Sequence, residues 1–305
     1  MKKIFYCALC FLISLSFIFS GCDNKQEQGL KVYTSFYTLY DFAAKITQDK
    51  AKVYNIMPSG ADAHSWTPSA KDLVNLNKAD IFIYNGLGME HWTDQVLKTL
   101  DKKVLTVRVS DGISEEHDDD HDHENIDPHI WLSPQNAKII LKNIKDALVQ
   151  ADSANAEFYE QNYQDCADRC DELYNGFLGL KNYPKRDIVV TKNAFSHLCE
   201  AFDLNQIALS QSHSSEPNPD RIVQVVNDIV ANGVKVIFCD PFSLDEAQTL
   251  KTEVSKKGKT VEIATLNPLE NLSAQDLKNG NDYFKIMQDN LNAILNALKK
   301  QNGIS

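Results

Sequence analysis

Residues 115–134 read EEHDDDHDHENIDPHIWLSP. The first ten positions hold three histidines, His117, His121 and His123, and seven carboxylates, and His129 follows shortly after. Imidazole nitrogen and carboxylate oxygen are both ligands for divalent transition metals. The stretch therefore poses a choice between the crowded run and the lone His129 as the metal site. Like charges packed that tightly repel, and residues 115–124 contain no apolar anchor, which predicts a solvated loop able to gather cations. His129 instead stands just before Ser133-Pro134, a capping hydroxyl followed by proline, which marks a helix start. His64, in MPSGADAHSWTPSAKDL, follows a β-branched run. Both histidines thus fall beyond the carboxyl ends of strand-like segments, where open parallel sheets bind ligands. As a bare histidine, each is a core or surface residue as readily as a ligand.

The elements that must position them come in two blocks. LKVYTSF, AKVYNIM, ADIFIYNG and KKVLTVRV form the first, and DIVVTKN, VKVIFCDP and TVEIATLN the second, each with helical stretches between the strand-like runs. Such alternation predicts an α/β protein with parallel sheets and helices on both faces. Residues 134 to about 180 hold no strand candidate and carry apolar residues at helical spacing. The expected organisation is an N-terminal α/β lobe at 30–133, a helical linker at 134–182 and a C-terminal α/β lobe at 183–305. SSEPNPDRIVQVV reads as another helix start, with Pro219 in its first turn and Asp220 favourable to the dipole there.

MKKIFYCALCFLISLSFIFSGC, with two lysines, an apolar run and Gly21-Cys22, reads as a signal peptide over residues 1–21. The FSGC ending resembles a lipobox, which assigns Cys22 as the lipidated first residue and residues 22–29 as a tether to the membrane. The formal charge of −11, deepened by loss of Lys2 and Lys3, argues against nucleic acid and suits a protein that meets cations. Cys166, Cys170, Cys199 and Cys239 are too sparse for a disulfide framework. Cys166 and Cys170, four apart on a helix, could hold a soft metal, although buried thiols explain them more simply. His91 and His213 read as surface and loop histidines, and Trp66, Trp92 and Trp131 as first-lobe packing, with Trp66 and Trp131 placed to line a cleft.

PSGADAHSWTPSAKDLVNLNKADIFIYNGLGMEHW, DPHIWLSPQNA, GVKVIFCDP and YFKIMQDNLNAILNAL resemble the zinc and manganese solute-binding lipoproteins of bacterial ABC transporters, over about residues 30–300. The resemblance implies two α/β lobes on a rigid helical linker, a metal held in the cleft between them, and delivery to a membrane permease. It also implies four metal ligands, two from each lobe. His64 and His129 match the first-lobe pair. In the second lobe, Lys192 of KNAFSH stands where the family has histidine or glutamate, His197 where it has an aromatic residue, and Asn267 of LNPL where it has aspartate.

These departures matter physically. A protonated lysine has no lone pair to donate. A single positive charge about 4 Å from a divalent ion costs on the order of 8 kcal/mol at an effective dielectric near 20. A neutral amide is a weak zinc ligand. Three outcomes stay open: His197, Asp240 or a water completes the shell while Lys192 swings away; the loop supplies His117, His121 or His123; or Lys192 replaces the metal against Asp62 or Asp240.

The leading expectation is a monomeric, membrane-anchored extracytoplasmic protein, on the periplasmic or extracellular face, that captures Zn2+, or Mn2+, for an ABC permease. The alternative is a surface lipoprotein of the same fold, an adhesin or accessory protein with a degenerate cleft. No HExxH pattern supports a zinc hydrolase, so no enzymatic activity is expected.

Overall fold

A computed structural model describes residues 29–114, 127–210, 218–241 and 243–304. Cys22 and the tether, His117, His121 and His123 of the acidic run, and His213 all lie outside the described residues.

The first lobe runs β1 (Leu30–Thr34), α1 (Tyr37–Thr47), β2 (Ala51–Asn55), α2 (Ala70–Leu76), β3 (Ile81–Tyr84), α3 (Thr93–Thr99) and β4 (Leu105–Arg108). Its four strands are all parallel, in the order β2-β1-β3-β4, with Val32 opposite Val53 and Ile81. Two helices follow, α4 (Pro134–Ala151) and α5 (Ala156–Leu178), joined by one short turn and packed on each other. The second lobe runs β5 (Asp187–Val190), α6 (Ser196–Phe202), β6 (Asn205–Ala208), α7 (Pro219–Asn232), β7 (Val236–Cys239), α8 (Leu244–Lys256), β8 (Glu262–Thr265), α9 (Ala274–Lys278) and α10 (Tyr283–Gln301). Its sheet repeats the first one's plan, all parallel in the order β6-β5-β7-β8. The fold is thus the two-lobed α/β architecture that the alternating pattern predicts.

The strand sequences explain their placement. IFIY in β3, DIVV in β5 and VIFC in β7 are near-continuous apolar runs because central parallel strands are covered on both faces. One buried apolar cluster reaches from Val32 and Phe36 of the first lobe through Ile140, Leu141 and Phe177 of the paired helices to Ile188, Phe238 and Met287 of the second. Pro134 opens α4 as expected, but the Ser133 hydroxyl makes no capping hydrogen bond. At α7 the proline is joined by a true cap: Asn218 accepts from the Arg221 amide at 2.8 Å, and Asp220 lies in the first turn. Cys166, Cys170, Cys199 and Cys239 are buried free thiols, and burial pushes Cys166 up to about 11 and Cys170 up to about 12. That suits packing and not metal ligation, which requires the thiolate.

Candidate metal centre

His64 sits in the loop after β2, on a turn made by Asp62. One Asp62 oxygen, Oδ1, accepts from the His64 amide, the Ser65 amide and the Ser65 hydroxyl, each at 3.0 Å. This short-range carboxylate turn fixes the backbone at His64 without any secondary structure.

His129 is fully buried beyond the end of β4, directly before the 3-10 turn Ile130–Leu132. Asp127 Oδ1 accepts from the His129 amide at 2.9 Å and from its ring Nδ1 at 2.6 Å. The bond sets the ring's orientation and leaves Nε2 directed into the cleft, the arrangement in which a carboxylate supports a metal-binding imidazole. A deeper layer holds the segment. Asn85 Nδ2 donates to the Pro128 carbonyl at 2.9 Å, and buried Glu90 accepts from the Asn85 amide at 2.8 Å, the Gly86 amide at 3.1 Å and the Ser35 hydroxyl at 2.5 Å.

The third group is Glu270, in the loop after β8. Its Oε1 lies 3.1 Å from His129 Nε2 and 3.7 Å from His64 Nε2, and the two Nε2 atoms are 3.2 Å apart. Zinc bonds of about 2.0–2.1 Å in a tetrahedron separate neighbouring ligand atoms by about 3.3 Å. The three donors are therefore spaced as three corners of such a tetrahedron. Among the described residues, His64, His129 and Glu270 form the cluster able to hold a metal ion.

The Glu270 loop belongs to the second lobe by sequence but is anchored on the first. Trp131 Nε1 donates to the Pro268 carbonyl at 2.8 Å and Thr38 Oγ1 to the Leu269 carbonyl at 2.6 Å. Asn271 Nδ2 donates to the carbonyls of Pro58 at 3.1 Å and Ala61 at 2.8 Å, just before the His64 turn. Leu269 adopts φ 61°, a left-handed conformation that costs a β-carbon-bearing residue about 1–2 kcal/mol. Its carbonyl bond to Thr38 and its amide bond to Asn267 Oδ1, at 2.8 Å, hold that turn and deliver Glu270 into the cleft.

The charges are mutually adjusted. Burial alone would favour neutral His129, but hydrogen bonds and charge from Asp127 and Glu270 outweigh it and push the imidazolium up to about 9. Burial would likewise raise the two carboxyls, yet Asp127 is held below its usual range by His129, and Glu270 well below by His129 and His64. The cleft without metal thus favours ionised carboxylates around a protonated His129. A metal must displace that proton.

The structure brings His64 and His129 together and redistributes the other candidates. Asn267 is spent on the turn, with its Oδ1 on the Leu269 amide and its backbone exchanging two bonds with the Asn290 side chain. The carboxylate that stands beside the two histidines is Glu270, three residues on. His197 reaches Asp127, donating from Nε2 to its carbonyl at 2.8 Å, and takes no place in the donor cluster. Lys192 Nζ lies 3.6 Å from Asp240 Oδ2 and 3.9 Å from Asp62 Oδ2, so Asp240 faces an ammonium. His91 is exposed beside Thr67 Oγ1, at 3.2 Å. Glu270 escaped the motif comparison, which fixed on Asn267. The one local cue is a carboxylate in NPLENL, five residues beyond the last strand of the second sheet.

A two-lobed α/β body with a transition-metal donor set between its lobes defines the class: a cleft-type solute-binding protein. The chain belongs to the family described as zinc-uptake complex component A, periplasmic, whose model matches residues 32–297. It is 32% identical over 311 residues to the zinc-binding lipoprotein AdcA of Streptococcus pneumoniae, covering 96% of this chain and 60% of that one. The chain thus spans about three fifths of that relative's length. It is 31% identical over 320 residues to the high-affinity zinc uptake system protein ZnuA of Bacillus subtilis, covering 97% of each. The crystal structure of the Zn(II)-bound ZnuA-like domain of S. pneumoniae AdcA superposes with a TM-score of 0.77 at 28% identity, covering 88% of this chain and 99% of that one.

Proposed function

We propose that this chain captures zinc in its cleft through His64 Nε2, His129 Nε2 and a Glu270 carboxylate oxygen, and delivers it to an ABC permease. The observation that carries the reading is the spacing of 3.1, 3.2 and 3.7 Å among the three donors. Two imidazoles and one carboxylate in a compact, low-coordination set suit zinc better than manganese, which prefers more numerous oxygen ligands. Zinc-binding relatives and membership of an uptake-component family support the same cargo and an ABC permease as acceptor.

The action is binding and release, with no bond made or broken in a substrate, so no catalytic group is assigned. The chain works as a monomer on the outer side of the cytoplasmic membrane, anchored through Cys22. The acidic run at 115–124 gathers cations for the cleft. The adhesin reading loses the half of its motivation that rested on Asn267, because Glu270 offers a carboxylate there; the other half, Lys192, is turned toward Asp62 and Asp240.

Zinc titration against a competing chelator tests the proposal. One zinc per chain should bind tightly, survive deletion of residues 115–124, and disappear in His129→Ala. Binding that disappears with the loop and survives His129→Ala would overturn it.

A further inference from the structure

The second lobe meets the site at three places other than Glu270, and each falls on an aspartate that supports a histidine, two on its carboxylate and one on its backbone carbonyl. Asp62 uses Oδ1 to fix the His64 turn, while its Oδ2 faces Lys192 Nζ at 3.9 Å. Asp127 uses Oδ1 to orient His129, while its Oδ2 accepts from the Ser196 amide at 3.3 Å and its carbonyl accepts from His197 Nε2 at 2.8 Å. Each first-lobe histidine thus stands on an aspartate that turns its other oxygen to the second lobe. Lys192 follows β5 and Asp240 follows β7, the two central strands at which the order of the second sheet reverses. Asp240 is buried and lies 3.6 Å from the ammonium, so it holds the base of the bridge that Lys192 extends to the opposite lobe.

We propose that Lys192 is a positioning residue that closes the second lobe over the site, gripping with Ser196 and His197 the aspartates behind the histidines instead of the metal itself. The donor set explains why such a grip is needed. Glu270 is tied to the first lobe by Thr38, Trp131 and Asn271, so all three donors stay together whether or not the body of the second lobe approaches. A metal held by those three ligands supplies little force to draw β5 and β7 inward. The Lys192 bridge supplies it, and the fourth corner of the tetrahedron is left to an exchangeable ligand such as water. The metal half of this inference rests on the proposed function; the closure half does not.

Hydrogen exchange by mass spectrometry on the purified protein without metal tests closure directly. Lys192→Met should raise exchange in segments 62–66 and 192–197 at least fivefold, and Lys192→Arg should restore most of the protection. Asp62→Asn, which alters the bridge from the opposite lobe and keeps an oxygen for the His64 turn, should reproduce the effect. With cobalt(II) as the probe, Lys192→Met should keep the wild-type visible spectrum, because no ligand has been removed. Unchanged exchange in both Lys192→Met and Asp62→Asn would overturn the proposal, as would a cobalt spectrum showing a lost ligand in Lys192→Met. A wild-type protein that takes up neither cobalt nor zinc, yet loosens in Lys192→Met, would overturn the zinc reading and support the clamp.

Discussion

The loops after β2 and β4 bring imidazoles to the cleft, whereas those after β5 and β7 bring an ammonium and a carboxylate facing each other. The sheets share one strand order, so the contrast lies in which strand ends each lobe uses and in the residues placed there. The first-lobe loops leave the two edge strands of their sheet and the second-lobe loops leave the two central strands of theirs, so the lobes present different strand ends to the cleft. In the first lobe each loop carries a candidate ligand histidine braced by an aspartate. In the second, Lys192 and the start of α6 bind those same aspartates. Glu270 bridges the two regimes: its chain position is in the second lobe and its hydrogen-bonded support is in the first.

The most damaging change should be loss of a donor. His129→Ala or Glu270→Gln is expected to reduce zinc affinity by more than the roughly 10–100-fold that loss of a supporting partner costs, measured by chelator competition. His129→Ala also leaves buried Glu270 without its closest imidazole, so the protein without metal should lose stability in chemical denaturation. Asp127→Asn comes next, within that roughly 10–100-fold range, because the ring loses its charged support while the donor atom remains.

Acidity should separate the lobes in a third way. The folded-state value of His129, raised from 6.5 to about 9, means that its protonated pairing stabilises the metal-free fold fully below about pH 6.5 and loses that contribution as pH rises through 9. Zinc competes with the same proton. Apparent affinity should therefore climb with pH by up to roughly tenfold per unit and level off above about 9. Calorimetry in buffers of different ionisation enthalpy should detect the proton released. A flat affinity between pH 6.5 and 9 would contradict the charge arrangement around His129. The smallest effect belongs to the anchors of the Glu270 loop. Trp131→Phe removes the hydrogen bond to the Pro268 carbonyl and should cost about 1 kcal/mol of stability while hastening zinc release.

Much of the fold is legible from the alternation of strand and helix patterns, because parallel sheets leave continuous apolar runs with polar loops at their ends. His64 and His129 stand out as histidines in the loops that follow strand-like runs. Glu270 does not, because its position depends on a left-handed turn at Leu269 braced by the Asn267 side chain, and on carbonyls captured by Thr38 and Trp131, which are remote in sequence. A local motif contains neither Thr38 nor Trp131 and shows nothing of the turn's handedness. The aspartates behind the histidines are hidden in another way. Asp62 and Asp127 each lie two residues before a histidine, a spacing that reads as ordinary loop composition until both oxygens of each are traced.

X-ray absorption spectroscopy of the zinc-loaded protein tests the central claim most directly. The account predicts four-coordinate zinc with two imidazoles, one carboxylate oxygen and one further light atom, unchanged in Lys192→Met and stripped of one imidazole in His64→Ala. A spectrum with three or more imidazoles, or one that loses a nitrogen ligand in Lys192→Met, would contradict it.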